Sequence, residues 1–157
     1  MKKYEFVPGD EKVIAPGRTV KRIRALVAIS SYAAAGDLGG YIECEKSLAQ
    51  DGNAWVSGDA RVYGDAQVSG NAWVYGNARV SGDGLIFWAS KVGSENGTLT
   101  VYNTKDNTLE VTRGCFKGTV DEFLAASEAK HDDRTHLEYR LLIEVAHSRI
   151  THARGDK

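Results

Sequence analysis

The sequence is poor in the features that place a chain quickly. Of its 157 residues, two are cysteine, two proline and one methionine. Cys44 and Cys115 lie far apart and lack paired metal-type spacing, which predicts two free thiols and no zinc site. No apolar run approaches the roughly 18 residues that span a bilayer, and the opening MKKYEFVPGDE lacks the apolar segment of a secretory signal, so a cytoplasmic location and no membrane partner are expected. Twenty basic residues against twenty-one acidic ones leave a formal net charge of -1, and nothing global draws the chain to nucleic acid or an anionic surface. No helical stretch is basic along one face, which speaks against sequence-specific DNA binding.

What the chain does have is a repeat. From Gly52 it reads GNAWVS, GDARVY, GDAQVS, GNAWVY, GNARVS and GDGLIF without a break to Phe87. In each of the first five hexads an alanine stands two residues before a valine, from Ala54 and Val56 to Ala78 and Val80. In extended chain such residues share a face. Ala and Val therefore point inward, while Trp55, Arg61, Gln67, Trp73 and Arg79 point the other way. Glycine with its Asn or Asp supplies the corner. Strands this short, with a corner every six residues, cannot form hairpins but can coil, and three hexads per turn give a triangular parallel β-helix.

The Ala-x-Val-x-Gly pattern resembles the hexapeptide repeat of left-handed β-helices, best known from bacterial acyltransferases. The succession GDLGGYIE, G-[DN]-A-x-V repeats and TRGCFKGTVDEF resembles a group of phage and prophage proteins that carry such repeats between short flanking segments. The resemblance implies a mainly β fold with a short left-handed parallel β-helix, and a viral or prophage origin. One departure stands out: the residue after the inward aliphatic is Ser57, Tyr63, Ser69, Tyr75, Ser81 or Phe87, where the acyltransferase hexad has a small or acidic one. Handedness is thus carried by analogy.

Three segments follow. Residues 1–37 form N-terminal strands and turns, in which RTVKRIRALVAI alternates Ile23, Ala25, Val27 and Ile29 against Arg22 and Arg24. Residues 38–93 form the β-helix, with Gly40-Tyr41-Ile42 and Val92 in phase with the hexads and Cys44 in the core. Residues 94–157 form a β-hairpin around Lys-Asp-Asn and two helices. The first helix opens on a capping box, Thr119 with Glu122, and the second runs from about Asp133 with Leu137, Leu141, Leu142 and Val145 on its apolar stripe. The helices cap the coil or pack on another copy.

For chemistry, the acyltransferase reading requires a histidine base on the coil. The hexads hold none, because His131, His136, His147 and His152 all fall in the helical region, so that enzyme is the alternative and not the leading reading. Five-residue spacing within each histidine pair is about 140° on a helix and does not suit a shared metal, and Cys115 reads as a packed thiol. At eighteen residues per coil, Trp55 stacks on Trp73 and Arg61 on Arg79. The tryptophan face predicts a homo-oligomer, a trimer or dimer. Arg61, Arg79, Arg22 and Arg24 with Tyr63 and Tyr75 can hold a phosphate and stack a base. The expectation is a non-enzymatic phage or prophage accessory protein without cofactor, which sequesters a nucleotide signal of host defence or blocks a host protein.

Overall fold

The computed structural model describes residues 2–114 and 116–155. Eleven strands and two helices are assigned among them. Strand β1 (Tyr4–Ala15) and β2 (Arg18–Ala25) form an antiparallel pair, and β3 (Leu38–Ile42) lies antiparallel to β2. The hexads supply four strands of two residues each: β4 (Trp55–Val56), β5 (Arg61–Val62), β6 (Trp73–Val74) and β7 (Arg79–Val80). β5 and β7 extend the first sheet in parallel, in the order β1-β2-β3-β5-β7, while β4 and β6 pair only with each other. A second, wholly antiparallel sheet has the order β11-β10-β9-β8, from β8 (Ile86–Val92), β9 (Gly97–Asn103), β10 (Leu109–Arg113) and β11 (Phe116–Thr119). Helices α1 (Val120–Lys130) and α2 (Asp133–Arg154) follow.

The hexads do what their spacing demands locally. All five alanines and all five valines of the repeat are 1% exposed or less. Gly52, Gly58, Gly64, Gly70 and Gly76 all turn with φ between +66° and +73°. At Gly52 a Cβ would stand 2.8 Å from the Gly70 carbonyl oxygen, so stacking of corners excludes larger residues there. Trp55 pairs with Trp73 and Arg61 with Arg79, eighteen residues apart.

The left-handed parallel β-helix predicted from that repeat is nonetheless not the architecture. The five-stranded sheet is mixed, the four-stranded sheet is antiparallel and the two-residue pair β4–β6 is parallel, with no closed or solenoid sheet among the described residues. Two departures explain why. Upstream, the turn of 3-10 helix at Glu45–Ser47 changes the spacing, so that Tyr41 and Ile42 pair with Arg61 and Val62 at twenty residues, and β3 gives its other edge to antiparallel β2. Downstream, the sixth hexad replaces Ala with Gly84, turns as 3-10 helix at Asp83–Leu85, and sends β8 into the antiparallel sheet, where Ile86 faces Tyr102. The edge beyond Trp73 is then closed by hydroxyls instead of a third parallel row: the Trp73 amide donates to Thr100 Oγ1 at 3.2 Å and its carbonyl accepts from Thr112 Oγ1 at 2.6 Å. Beyond the Arg79 row, Ala78 bridges Thr104 antiparallel.

β9 belongs to both halves of the core, as strand alternation requires. Its Tyr102 packs with the hexad interior, Trp55, Ile23 and Tyr4. Its Leu99 and Val101 pack with Phe123, Tyr139, Ile143, Ala146 and Ile150 of the helices. The predicted hairpin is present, with Asn103 opposite Leu109, and the capping box at Thr119 and Glu122 is complete. The helices neither simply close a coil nor wait for another copy, because they cover the second sheet. The predicted stripe on α2 is mostly displaced: Leu137, Leu141 and Val145 are about half exposed, Leu142 alone packs partly buried against the core, and the buried set is Tyr139, Ile143, Ala146 and Ile150. Cys44 is likewise exposed, not core, since it stands at the start of the turn that shifts the register. Cys115 lies outside the described residues.

Candidate anion-binding site

Each arginine singled out in the sequence has a distinct setting. Arg22 is neutralised: its Nε lies 3.2 Å from Asp10 Oδ2, its other nitrogens donate to the Gly39 carbonyl and the Tyr41 hydroxyl, and the guanidinium lies 4.4 Å from the Tyr41 ring centre. Arg24 pairs with Glu5 at 2.6 Å. Glu43 pairs with Arg18 at 3.3 Å and accepts from the Gly64 amide. Arg61 and Arg79 are left without a carboxylate hydrogen bond or ion pair among the described residues. Arg79 donates only to two carbonyls, Asp59 at 3.0 Å and its own neighbour Ala78 at 2.8 Å. The Arg61 Nε is buried and makes no hydrogen bond.

Stacking two cations without carboxylate partners is unfavourable. Burial first, then the neighbouring Arg61 charge, lowers the Arg79 pKa from the ordinary value, while Tyr63 and Asp59 work the other way. A partly buried cation in that setting is stabilised by an anion that replaces the lost water.

A cavity of about 490 Å³ opens at this row. The sheet contributes Tyr63, Arg79 and Ser81, the hairpin end contributes Asn103 and Lys105, and the last turn of α2 contributes Arg154. The hairpin end is held there by the Ala78–Thr104 bridge and by the Lys105 amide, which donates to the Asn77 carbonyl at 2.9 Å. Asn103 is 4% exposed; its amide nitrogen donates to the Arg79 carbonyl, and its oxygen accepts from Arg154 at 3.0 Å. Three cations and several neutral hydrogen-bonding groups line the cavity, and no carboxylate does. The charge and hydrogen-bonding character of this lining is complementary to an anion.

Of the six predicted binding residues, Arg79 and Tyr63 line this cavity, while Arg61 stands beside Arg79 in the strand pairing and is not part of the lining. Arg22 and Arg24 belong to paired contacts on the neighbouring strands, and Tyr75 lies on the tryptophan side, its ring 4.0 Å from Lys117 Nζ and 5.4 Å from the Trp73 ring. Lys105, Asn103 and Arg154 were missed, and no signal in the repeat points to them, since they arrive by tertiary packing of the hairpin and α2.

Trp55 and Trp73 do not form an outer face either. Trp55 is fully buried, with Tyr4 edge-on at 6.4 Å, and Trp73 is 8% exposed, stacked by Tyr32 at 4.7 Å. The chain's own N-terminal segments and second sheet cover them, which removes the ground for an interface between copies at these residues.

The histidines serve the helices: His136 Nδ1 is 3.0 Å from Ser127 Oγ, joining α2 to α1, and His131 terminates α1. Among the described residues no cluster of His, Cys, Asp or Glu could hold a metal ion, and no helix is long and apolar enough to cross a membrane. No protein-family model matches the chain, and no curated protein matches it.

Proposed function

We propose that the chain is a non-enzymatic binding protein that holds a phosphate-bearing small molecule, a nucleotide or its phosphate end, over the Arg61 and Arg79 row. The observation that carries this reading is the pair of stacked arginines without carboxylate partners beside a carboxylate-free cavity. Arg79 and Lys105 supply charge and donors to the phosphate oxygens, and Ser81 supplies a hydroxyl. Tyr63 offers a ring for a base. In the phage or prophage setting that the sequence resemblance implies, such a protein acts by sequestering a nucleotide signal of host defence.

Thermal unfolding with inorganic phosphate, pyrophosphate, mononucleotides and cyclic nucleotides tests the reading. A ligand at 100 times its dissociation constant stabilises by about 2.7 kcal/mol, which shifts the midpoint of a chain this size by several degrees. The shift disappears with Arg79→Ala. If no phosphate compound shifts the wild type, the reading is wrong and a host protein becomes the partner to seek.

A further inference from the structure

A second cavity lies beside Tyr32, the ring that stacks on Trp73, and its chemistry differs. It has a volume of about 410 Å³ and is built from five stretches of chain distant in sequence. Asn53 and Asn71 come from equivalent corners of two hexads, one row apart, where the Asn53 amide donates to the Gly70 carbonyl. Ser30 and Tyr32 come from the loop after β2, Asn96 from the β8–β9 turn, and Thr98 from the start of β9, where its hydroxyl is 2.9 Å from that of Ser90 on β8. Lys91 is the one formally charged residue of the lining.

Two observations set this cavity apart from an ordinary surface recess. Four non-glycine residues of the described chain adopt positive φ, and three of them line it: Ser30 at +47°, Lys91 at +61° and Asn96 at +52°. Such a backbone is disfavoured for a residue with a side chain and persists where the surroundings impose it, and such residues cluster at ligand sites. The second is the rigid aromatic element. The Tyr32 ring stacks on Trp73 with planes 16° apart, and its hydroxyl donates to the Asn71 carbonyl, so its position is fixed before any ligand arrives.

The lining matches one ligand class. Asn amides and Ser and Thr hydroxyls both donate and accept, which is what a sugar hydroxyl requires of its partner, since it also does both. A fixed aromatic ring suits the apolar C–H face of a pyranose. A multiply charged phosphate ligand would find only Lys91. We infer that this cavity binds a short saccharide, with Lys91 favouring one that bears a single carboxylate. The inference does not rest on the arginine site, which lies elsewhere on the fold.

Ligand-detected NMR with glucose, N-acetylglucosamine, glucuronate and their disaccharides, on the full chain, tests it. Saturable binding is expected, with glucuronate-type sugars preferred. Asn96→Gly removes the amide while keeping a residue at ease with positive φ, and Asn71→Ala removes a second amide; each weakens binding by about tenfold, the worth of one or two hydrogen bonds. Lys91→Gly abolishes the preference for the acidic sugar and leaves neutral sugars bound. Inorganic phosphate does not compete. The inference fails if no saccharide binds at millimolar concentration, if phosphate displaces the sugar, or if both asparagine variants, shown folded by circular dichroism, bind as the wild type does.

Discussion

Arg61 and Arg79 face each other across a parallel strand pair, and neither makes a carboxylate hydrogen bond or ion pair among the described residues. Directly opposed like charges destabilise a sheet by a few tenths of a kcal/mol to about 1 kcal/mol. The unbonded Arg61 Nε adds a buried polar atom without a partner. A scaffold selected for stability alone would not keep this pair.

Arg61→Gln should therefore raise the denaturant midpoint of the ligand-free protein by the equivalent of about 0.5 kcal/mol. The same substitution should weaken phosphate binding, because one of the two stacked charges is gone. Urea titration with and without inorganic phosphate reads both. A loss of stability without ligand would show that Arg61 has a structural role that outweighs the repulsion.

The tryptophans make the opposite prediction. Trp55→Ala empties a fully buried site among Ile23, Tyr4 and Gly39, and Gly39 lies so close that a Cβ there would stand 2.7 Å from the ring. A cost of about 3 to 5 kcal/mol is expected. Trp73→Tyr keeps a ring against Tyr32 and should cost less. Neither substitution should change the solution mass of the folded protein, since both rings are covered within one chain. A change in mass by sedimentation, with the fold intact, would restore the interface that the sequence suggested.

What could be read in advance follows physical range. Alternation of Ala and Val, glycine corners, the hairpin and the Thr119 cap are local, and each stands where the residues place it. The eighteen-residue pairing is one step longer and also holds. The coil failed because its continuation depends on what the neighbours of rows one and two are, and the hexad pattern does not state that Thr100 and Thr112 close the Trp73 edge. Facing was the weaker inference: two-residue strands sandwiched between the hexad core and other segments bury both sides at Trp55, yet leave Arg79 half-buried beside a cavity. The same limit hid Lys105 and Arg154, which lie far from the repeat in sequence.

Helix α2 shows how two stripes compete. Leu137, Leu141 and Val145 fit one face, and Tyr139, Ile143, Ala146 and Ile150 fit another with four-three-four spacing. The second is buried against Phe123 and Val101 because its aromatic residue meets Phe123 edge-on at 5.0 Å. Ile143→Ala should cost about 2 to 4 kcal/mol and Leu141→Ala within about 0.5 kcal/mol. Comparable costs in urea unfolding would mean that Leu141 is also covered in solution.

Lys3 gives a prediction in pH. It is 5% exposed, and its ammonium donates to the Ala54 carbonyl at 2.7 Å and to the carbonyls of Asp51 and Gly52 at 3.3 and 3.4 Å. Burial lowers its pKa to about 8, partly offset by the Asp51 charge. The unfolded chain keeps this proton until about pH 10.4, whereas the folded chain releases it near 8, so between these values the unfolded state binds more protons and stability rises with pH. Below pH 8 both states are protonated and the contribution is flat. Above about pH 10 the trend reverses, because burial raises the phenol pKa of Tyr4 and Tyr102 and the folded state then holds protons the unfolded state loses. The unfolding free energy of the wild type should thus climb from pH 8 to 9.5 relative to Lys3→Met, by no more than about 1.4 kcal/mol per pH unit. Parallel curves for the two proteins across that window would show that the Lys3 ammonium is solvated in the folded state.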